Sequence, residues 1–454
     1  MTVTTLWAET ALLPEGWADA VRIDIAGGRI VALQPGAAPA GGRFGCLLPA
    51  PVNLHSHAFQ RAMAGMTERR GGSGSDSFWT WRSLMYRFLD HLTPDDVQAI
   101  AAFVQMEMLE AGYGAVAEFH YLHHQPGGAA YANSAELSAR IVAAADQSGI
   151  GLTLLPVLYQ QGGCDGRALT AGQARFGNDP DRFARLWQGA AAALRSLPGD
   201  AVIGVAPHSL RAVSREGLVM ATDLAPKAPI HLHLAEQLAE VEELKASYGA
   251  RPTEWLLANA PVDDRWCLIH ATQMEPAETI ALARTGAVAG LCPITEANLG
   301  DGIFDGARYL AAGGRFGVGS DSNVRISLSE ELRLLEYSQR LRDRGRAVLA
   351  TAERSTGRVL FEGAVQGGAQ AGGRSGALAV GGLADILALD TGATDLIGVT
   401  GDGLLDTFVF AGDDQMISDV WSAGRHMVQG GAHVARDAIT ARYRAAMAGL
   451  RGRL

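Results

Sequence analysis

The 454-residue sequence predicts a (β/α)8 barrel of the TIM type with a small, discontinuous β-sandwich domain built from its N- and C-terminal segments. Three observations lead there. From about residue 52 to 324, short apolar runs alternate with stretches of helical periodicity, the pattern of βα units around a parallel sheet. Several of those apolar runs end in histidine or aspartate. Strand-like segments with Gly and Asp turns occupy both ends of the chain. The expected division is residues 1–48 for the first part of the sandwich, 49–374 for the barrel, and 375–454 for the second part with a C-terminal helix.

Taken in order, residues 20–25 and 30–33 alternate apolar and polar side chains around Gly27-Gly28, the pattern of a hairpin. The apolar run Leu47-Leu48-Pro49-Ala50-Pro51-Val52-Asn53-Leu54 leads into the first barrel strand, from about Val52, and is closed by His55-Ser56-His57. Residues 97–111 read as helix, 115–120 as strand, 135–147 as helix and 152–158 as strand. Helix follows at 329–341, then short strands at 381–390, 407–410 and 417–421. Two glycine-rich stretches, 71–74 and 367–376, lack a strand-GxxxxGK-helix context and read as flexible loops, not phosphate cradles.

Composition narrows the functional classes. Hydrophobic residues make up 48% and charged residues 19%, so a large core is available. The absence of a signal-like N-terminus and of an apolar run of about 18 residues predicts a soluble cytoplasmic protein. A net charge of -10 opposes a nucleic-acid or anionic-membrane surface, while leaving room for a small anionic substrate in a locally positive pocket. Cys46, Cys164, Cys267 and Cys292 are scattered, with no CxxC pair, and read as reduced, buried thiols.

The chemistry concentrates at strand ends. His55 and His57 lie two apart on a strand and share a face, where both imidazoles can grip one ion. His231-Leu232-His233-Leu234-Ala235-Glu236 follows, then His270 after an apolar run, then Asp321 after Gly317-Val318-Gly319-Ser320. In a barrel such ends converge. His55, His57, His233 and Asp321 would supply the imidazole and carboxylate ligands of a catalytic metal ion with one position left for water. His231 shares a face with His233, but His233 stands nearer the strand end. Lysine occurs only at Lys227 and Lys245, neither at a strand end suited to a carboxylated bridge, so one divalent ion is expected. Zinc is the default, with iron an alternative. Glu236 and His270 remain for proton transfer: Glu236 as the acid that delivers a proton to a departing nitrogen, and His270 or Asp321 as the base toward water. His91, His123, His124, His426 and His433 have no such context and read as structural, and His120 stays open.

These residues resemble the amidohydrolase superfamily, and within it the formimidoylglutamate deiminases of histidine degradation. The broad likeness rests on His55/His57, His233, His270, Asp321 and Gly381-Gly382-Leu383-Ala384-Asp385. The narrower likeness rests on His55-Ser56-His57-Ala58-Phe59-Gln60-Arg61-Ala62-Met63-Ala64-Gly65, Ser77-Phe78-Trp79-Thr80-Trp81-Arg82 and Glu118-Phe119-His120-Tyr121-Leu122-His123-His124. Pro207-His208-Ser209-Leu210-Arg211 and Thr295-Glu296-Ala297-Asn298-Leu299-Gly300-Asp301-Gly302 complete it. Ala50 and Gln273 depart from the pattern, where glycine and histidine are usual, and neither is a proposed ligand.

The resemblance implies hydrolytic deimination of N-formimino-L-glutamate to N-formyl-L-glutamate and ammonia, by a cytoplasmic homodimer. A substrate with two carboxylates and an amidine carbon calls for cations and polar partners. Arg82 and Arg211 suit bidentate pairs with carboxylates, His208 and Tyr121 add donors, and Gln60 is placed for the formimino or carboxylate end. Trp79 and Trp81 would shape a lid or wall. Two other readings stand beside this one: a deaminase of a cyclic amidine such as a purine, pterin or cytosine, and a catalytically silent, metal-stabilised binding module.

Overall fold

The computed structural model describes residues 2–68 and 78–453, with side chains throughout except at 78–80, 82 and 83. The glycines at 71–74 fall outside the described residues.

The ends of the chain build one sheet. β1 (Thr4–Leu13), β2 (Gly16–Ala26), β3 (Arg29–Gln34) and β4 (Gly42–Pro49) come from the N-terminus. Strand β4 pairs with β1 on one side and with a C-terminal strand, Ile386–Leu389, on the other, so eight strands form a single hydrogen-bonded path. A bridge between Arg29 and Leu383 bends the path back on itself. Leu6, Val21, Ile23, Ile386 and Trp421 pack inside the curl as a core separate from that of the barrel.

The barrel begins at β5 (Val52–Ser56) and continues through β6 (Ala115–His120), β7 (Gly151–Leu158) and the interrupted strand β8 (Val202–Ile203) and β9 (Ala206–Pro207). It is completed by β10 (Ile230–Leu234), β11 (Trp266–His270), β12 (Val288–Leu291) and β13 (Arg315–Val318). All neighbours are parallel. Bridges Val205–Ile230 and Ser56–Asp321 join the two hydrogen-bonded sheets and close the ring. Closure needs Gly319, because a Cβ there would lie 2.6 Å from the backbone nitrogen of His55.

Helices cover the outside. Pro94–Glu110 is started by a capping box between Thr93 and Asp96 with Pro94 in its first turn, and the C-terminal helix Arg436–Arg451 rests on it, stacking Tyr443 on Phe103 with ring centroids 4.0 Å apart. The remaining strands of the terminal sheet are β14 (Ile386–Leu389), β15 (Ile417–Ser422), β16 (Arg425–Gln429) and β17 (Ala432–His433).

Two sequence expectations are corrected here. Residues 407–410 read as strand but lie in helix Asp402–Phe410, whose buried Leu404, Leu405, Phe408 and Val409 recur with the helical period. Most of the supposed loop 367–376 is the end of helix Thr356–Gly372. Its glycines are packing devices: a Cβ on Gly367 would sit 1.9 Å from the Phe316 carbonyl oxygen, and one on Gly368 would sit 2.8 Å from that of Val52. The helix therefore seats directly against β13 and β5.

The barrel and the terminal sheet are joined by buried charge. Arg374 is fully buried and lies 3.3 Å from Asp200 and 3.0 Å from Asp385, while Arg425 on β16 lies 2.8 Å from Asp200.

Candidate active site

The parallel strands deliver their carboxyl-terminal residues to one place. Nε2 of His55 lies 3.1 Å from Nε2 of His233. Asp321 Oδ1 lies 3.5 Å from His55 Nε2 and 3.3 Å from His57 Nε2. Asp321 follows β13 with a left-handed backbone, φ 46°, a strained conformation that turns its carboxylate toward β5.

Second partners fix which ring atoms face inward. His57 Nδ1 donates to the Phe119 carbonyl at 3.0 Å, and His233 Nδ1 donates to the His208 carbonyl at 3.1 Å. Both Nε2 atoms therefore present lone pairs, the second-partner pattern of metal-binding histidine. Burial pushes His55 and His233 well below the usual imidazole range. Burial also lowers His57, only partly offset by Asp321 and the Phe119 carbonyl. The Nε2 lone pairs of His57 and His233 converge with the Asp321 carboxylate, an arrangement that suits a cation.

The donor set fits one. A tetrahedral ion with bonds of about 2.0–2.1 Å separates its ligand atoms by roughly 3.3 Å, and the observed separations lie around that length. His55, His57 and His233 offer ligand atoms all within 4.8 Å of one another, as do His55, His270 and Asp321. His231 points elsewhere: its Nε2 bonds the Ala371 carbonyl at 2.9 Å, deeper in the barrel.

Glu236 and His270 flank this cluster. His270 Nε2 lies 3.9 Å from Glu236 Oε1 and 3.9 Å from Asp321 Oδ2. Burial opposes charge on His270, but Glu236, Glu296 and Asp321 outweigh it and push the imidazole up to about 10. Burial raises the Glu236 carboxyl above the usual range, against the lowering effect of His270 and Arg211.

A small cavity of about 60 Å³ opens over the cluster, lined by His57, Gln60, Tyr121, His208, Arg211, His233, Glu236, His270 and Asp321. Trp81, Met85, Tyr86, Tyr159 and Phe176 form an aromatic and apolar wall, and Leu299 and Ser322 complete the lining. Two polar atoms stand buried without protein partners: Nε of Arg211, a donor, and Oε1 of Gln60, an acceptor. Gln60 Nε2 is occupied, donating to the Tyr121 hydroxyl at 2.8 Å. Burial disfavours the charge on Arg211, but Glu240, Tyr159 and Glu236 hold it protonated.

Of the proposed ligand, catalytic and substrate-binding residues, those with described side chains meet at this site. Arg82 belongs to helix Phe78–Leu89, and its side chain, like that of Trp79, lies outside the described residues. His120 is buried beside His123 and does not line the cavity. Sequence reasoning assigned no role to Glu118, whose carboxylate accepts from Ala58 N at 2.7 Å and so fixes the turn between His57 and Gln60. Burial pushes that carboxyl up to about 7. Nor did it assign one to Asn53, which bonds Ser320 beside Asp321 through Nδ2 at 2.7 Å and Oδ1 at 3.1 Å. Neither signal is visible without knowing which strands are neighbours.

The closed parallel barrel, the terminal sheet and the histidine-carboxylate cluster together define a hydrolase scaffold with a potential metal site, and the comparisons agree. The Amidohydrolase family profile matches residues 46–427, and the chain belongs to that family. A second profile, described as the N-terminal domain of formimidoylglutamate deiminase HutF, matches residues 3–43. Formimidoylglutamate deiminase of Pseudomonas aeruginosa is 50% identical over 443 residues, covering 96% of this chain and 97% of that one. 5-Methylthioadenosine/S-adenosylhomocysteine deaminase 2 of Archaeoglobus fulgidus is 28% identical over 66% of each chain. The crystal structure of an amidohydrolase from Brucella melitensis superposes with a TM-score of 0.95 at 50% identity, over 99% of this chain and 100% of that one. A zinc-bound adenosine deaminase from Xanthomonas campestris shares the fold, with a TM-score of 0.82 at 21% identity over 99% and 98% of the chains.

Proposed function

We infer that this chain hydrolyses N-formimino-L-glutamate to N-formyl-L-glutamate and ammonia, the deimination step of histidine degradation. Its likeness to the Pseudomonas aeruginosa deiminase runs nearly end to end. The observation that carries the substrate is Arg211, a buried cation with an unpartnered Nε on the wall of the cavity that holds Glu236. A buried donor of this kind costs about 1–3 kcal/mol unless a ligand satisfies it, and a carboxylate does so with a charge-assisted bond.

His55, His57, His233 and Asp321 would hold one divalent ion, zinc by the chemistry of imidazole and carboxylate donors, with iron the alternative. Such an ion supplies Lewis acidity and makes water a usable nucleophile near neutral pH. Arg211, with Arg82, clamps the carboxylates, and Tyr121, His208 and Gln60 orient the formimino end. Asp321 accepts a proton of water as its oxygen adds to the formimino carbon, a role that a protonated His270 cannot take. His270 then stabilises the developing charge. Glu236 gives its proton to the terminal nitrogen; as the C–N bond breaks, the proton held by Asp321 completes ammonia, and the hydroxyl proton of the adduct returns to Glu236 as the formyl C=O forms.

A ring substrate would explain the aromatic wall but leave Arg211 without a partner. No helix among the described residues is long and apolar enough to cross a membrane. By its family resemblance the enzyme works in the cytoplasm as a homodimer, and sedimentation tests the assembly.

The deciding experiment follows ammonia release from N-formimino-L-glutamate by zinc-loaded protein, with a chelated control and a guanine and cytosine series. Metal-dependent release from the formimino compound alone is expected. Release from a ring compound instead would overturn the substrate and the role of Arg211.

A further inference from the structure

Glu296 belongs to one of the motifs that carry the family resemblance, yet none of the chemistry above uses it. It is 5% exposed and does not line the cavity. It sits in the short helix Pro293–Leu299 that follows β12. Its Oε1 accepts two bonds, from the backbone N–H of Cys292 at 2.8 Å and from Nδ1 of His270 at 3.3 Å. A carboxylate only accepts, so Nδ1 of His270 carries the proton.

His270 has particular need of such a partner. Its backbone is left-handed, φ 70°, and so is that of Ala271, φ 51°, so the strand no longer sets the direction of the side chain. With Nδ1 tied to Glu296, Nε2 is left facing Glu236 and Asp321. The same helix is bound to the Asp321 turn: Thr295 Oγ1 lies 2.9 Å from Ser322 Oγ and donates to the Ser320 carbonyl at 3.4 Å.

We propose that Glu296 is a positioning residue, pinned by the Cys292 N–H, that holds the His270 ring with Nε2 toward the reacting atoms without touching substrate. The proposal rests on the deiminase reading above for its kinetic consequences.

The test compares zinc-loaded wild type with Glu296→Ala and Glu296→Gln. In Glu296→Ala, kcat falls by about 100-fold, with KM and metal content close to wild type. Glu296→Gln recovers to within about tenfold of wild type, because its amide oxygen still accepts from both N–H groups. Unchanged kcat in the alanine variant, or a glutamine variant as slow as alanine, overturns the proposal. A second readout needs no substrate. In histidine-labelled, zinc-loaded protein, the Nδ1–H resonance assigned by its absence from His270→Asn should persist in the glutamine variant and vanish in the alanine variant. Its persistence in Glu296→Ala overturns the positioning role, whichever substrate the enzyme takes.

Discussion

Nε2 of His233 stands 3.1 Å from Nε2 of His55, while its Nδ1 donates to the backbone carbonyl of His208. The second bond places the His233 proton on Nδ1, so its Nε2 presents a lone pair to the buried site. His208, whose carbonyl accepts that bond, also lines the cavity, which ties the ligand cluster to the substrate wall.

Stability should therefore depend on the ion. Chelation is expected to abolish ammonia release and lower Tm, and zinc at about 100 times its Kd should restore roughly 2.7 kcal/mol. Calorimetry with and without chelator checks this, and a Tm indifferent to chelation would count against the site.

The two histidines of β10 should separate cleanly. His233→Ala is expected to lose the ion, whereas His231→Ala should keep metal stoichiometry at a stability cost of about 2 kcal/mol or more, since its ring is buried against Ala371. Metal analysis beside denaturant melts distinguishes them.

Glu236→Gln should reduce kcat by about 10²–10⁴-fold with metal content unchanged, the loss expected of a proton-transfer group. Arg211→Met should lower kcat/KM by about 100-fold, which corresponds to roughly 2.7 kcal/mol and to the loss of a charge-assisted bond. A methionine variant of wild-type efficiency would refute the carboxylate clamp.

Acid should loosen the junction between the barrel and the terminal sheet. Burial alone would raise the Asp200 carboxyl, but the hydrogen bond and charge of Arg425, together with Arg374, hold it below the usual range. Its stabilising contribution is thus complete above the unfolded value of about 3.9 and disappears as pH falls through the lower native value. Asp200→Asn should flatten the loss of stability in that window, measured by melts from pH 6 downward.

Gly367→Ala should cost about 3 kcal/mol or more, because the new Cβ meets backbone atoms of β13 that cannot yield as a side-chain tip can. An alanine variant as stable as wild type would show that the helix has room to shift.

Much of this architecture was legible in the chain. Short, nearly continuous apolar runs along 115–120 and 152–158 mark β6 and most of β7, because strands of a parallel sheet are buried on both faces. Where local signals compete, reading failed: Thr407-Phe408-Val409-Phe410 favours strand by residue type, yet burial of one helical face prevails. Gly363, Gly367, Gly368 and Gly372 look like a flexible loop, although their spacing places them along one face of a helix packed against the barrel.

The sequence by itself determined which histidines and acids stand at strand ends, because histidines two apart on a strand, or an acid just past a strand end, carry their geometry with them. The tertiary structure alone decided which nitrogen of each ring faces the centre, since the carbonyls of Phe119 and His208 that decide it lie on other strands. It also decided that His231 turns away from the cluster, that Arg211 keeps an unpartnered donor in the cavity, and that Glu296 grips His270. Each of these depends on groups distant in the chain, and hydrogen bonds between such groups exist only once the barrel has closed.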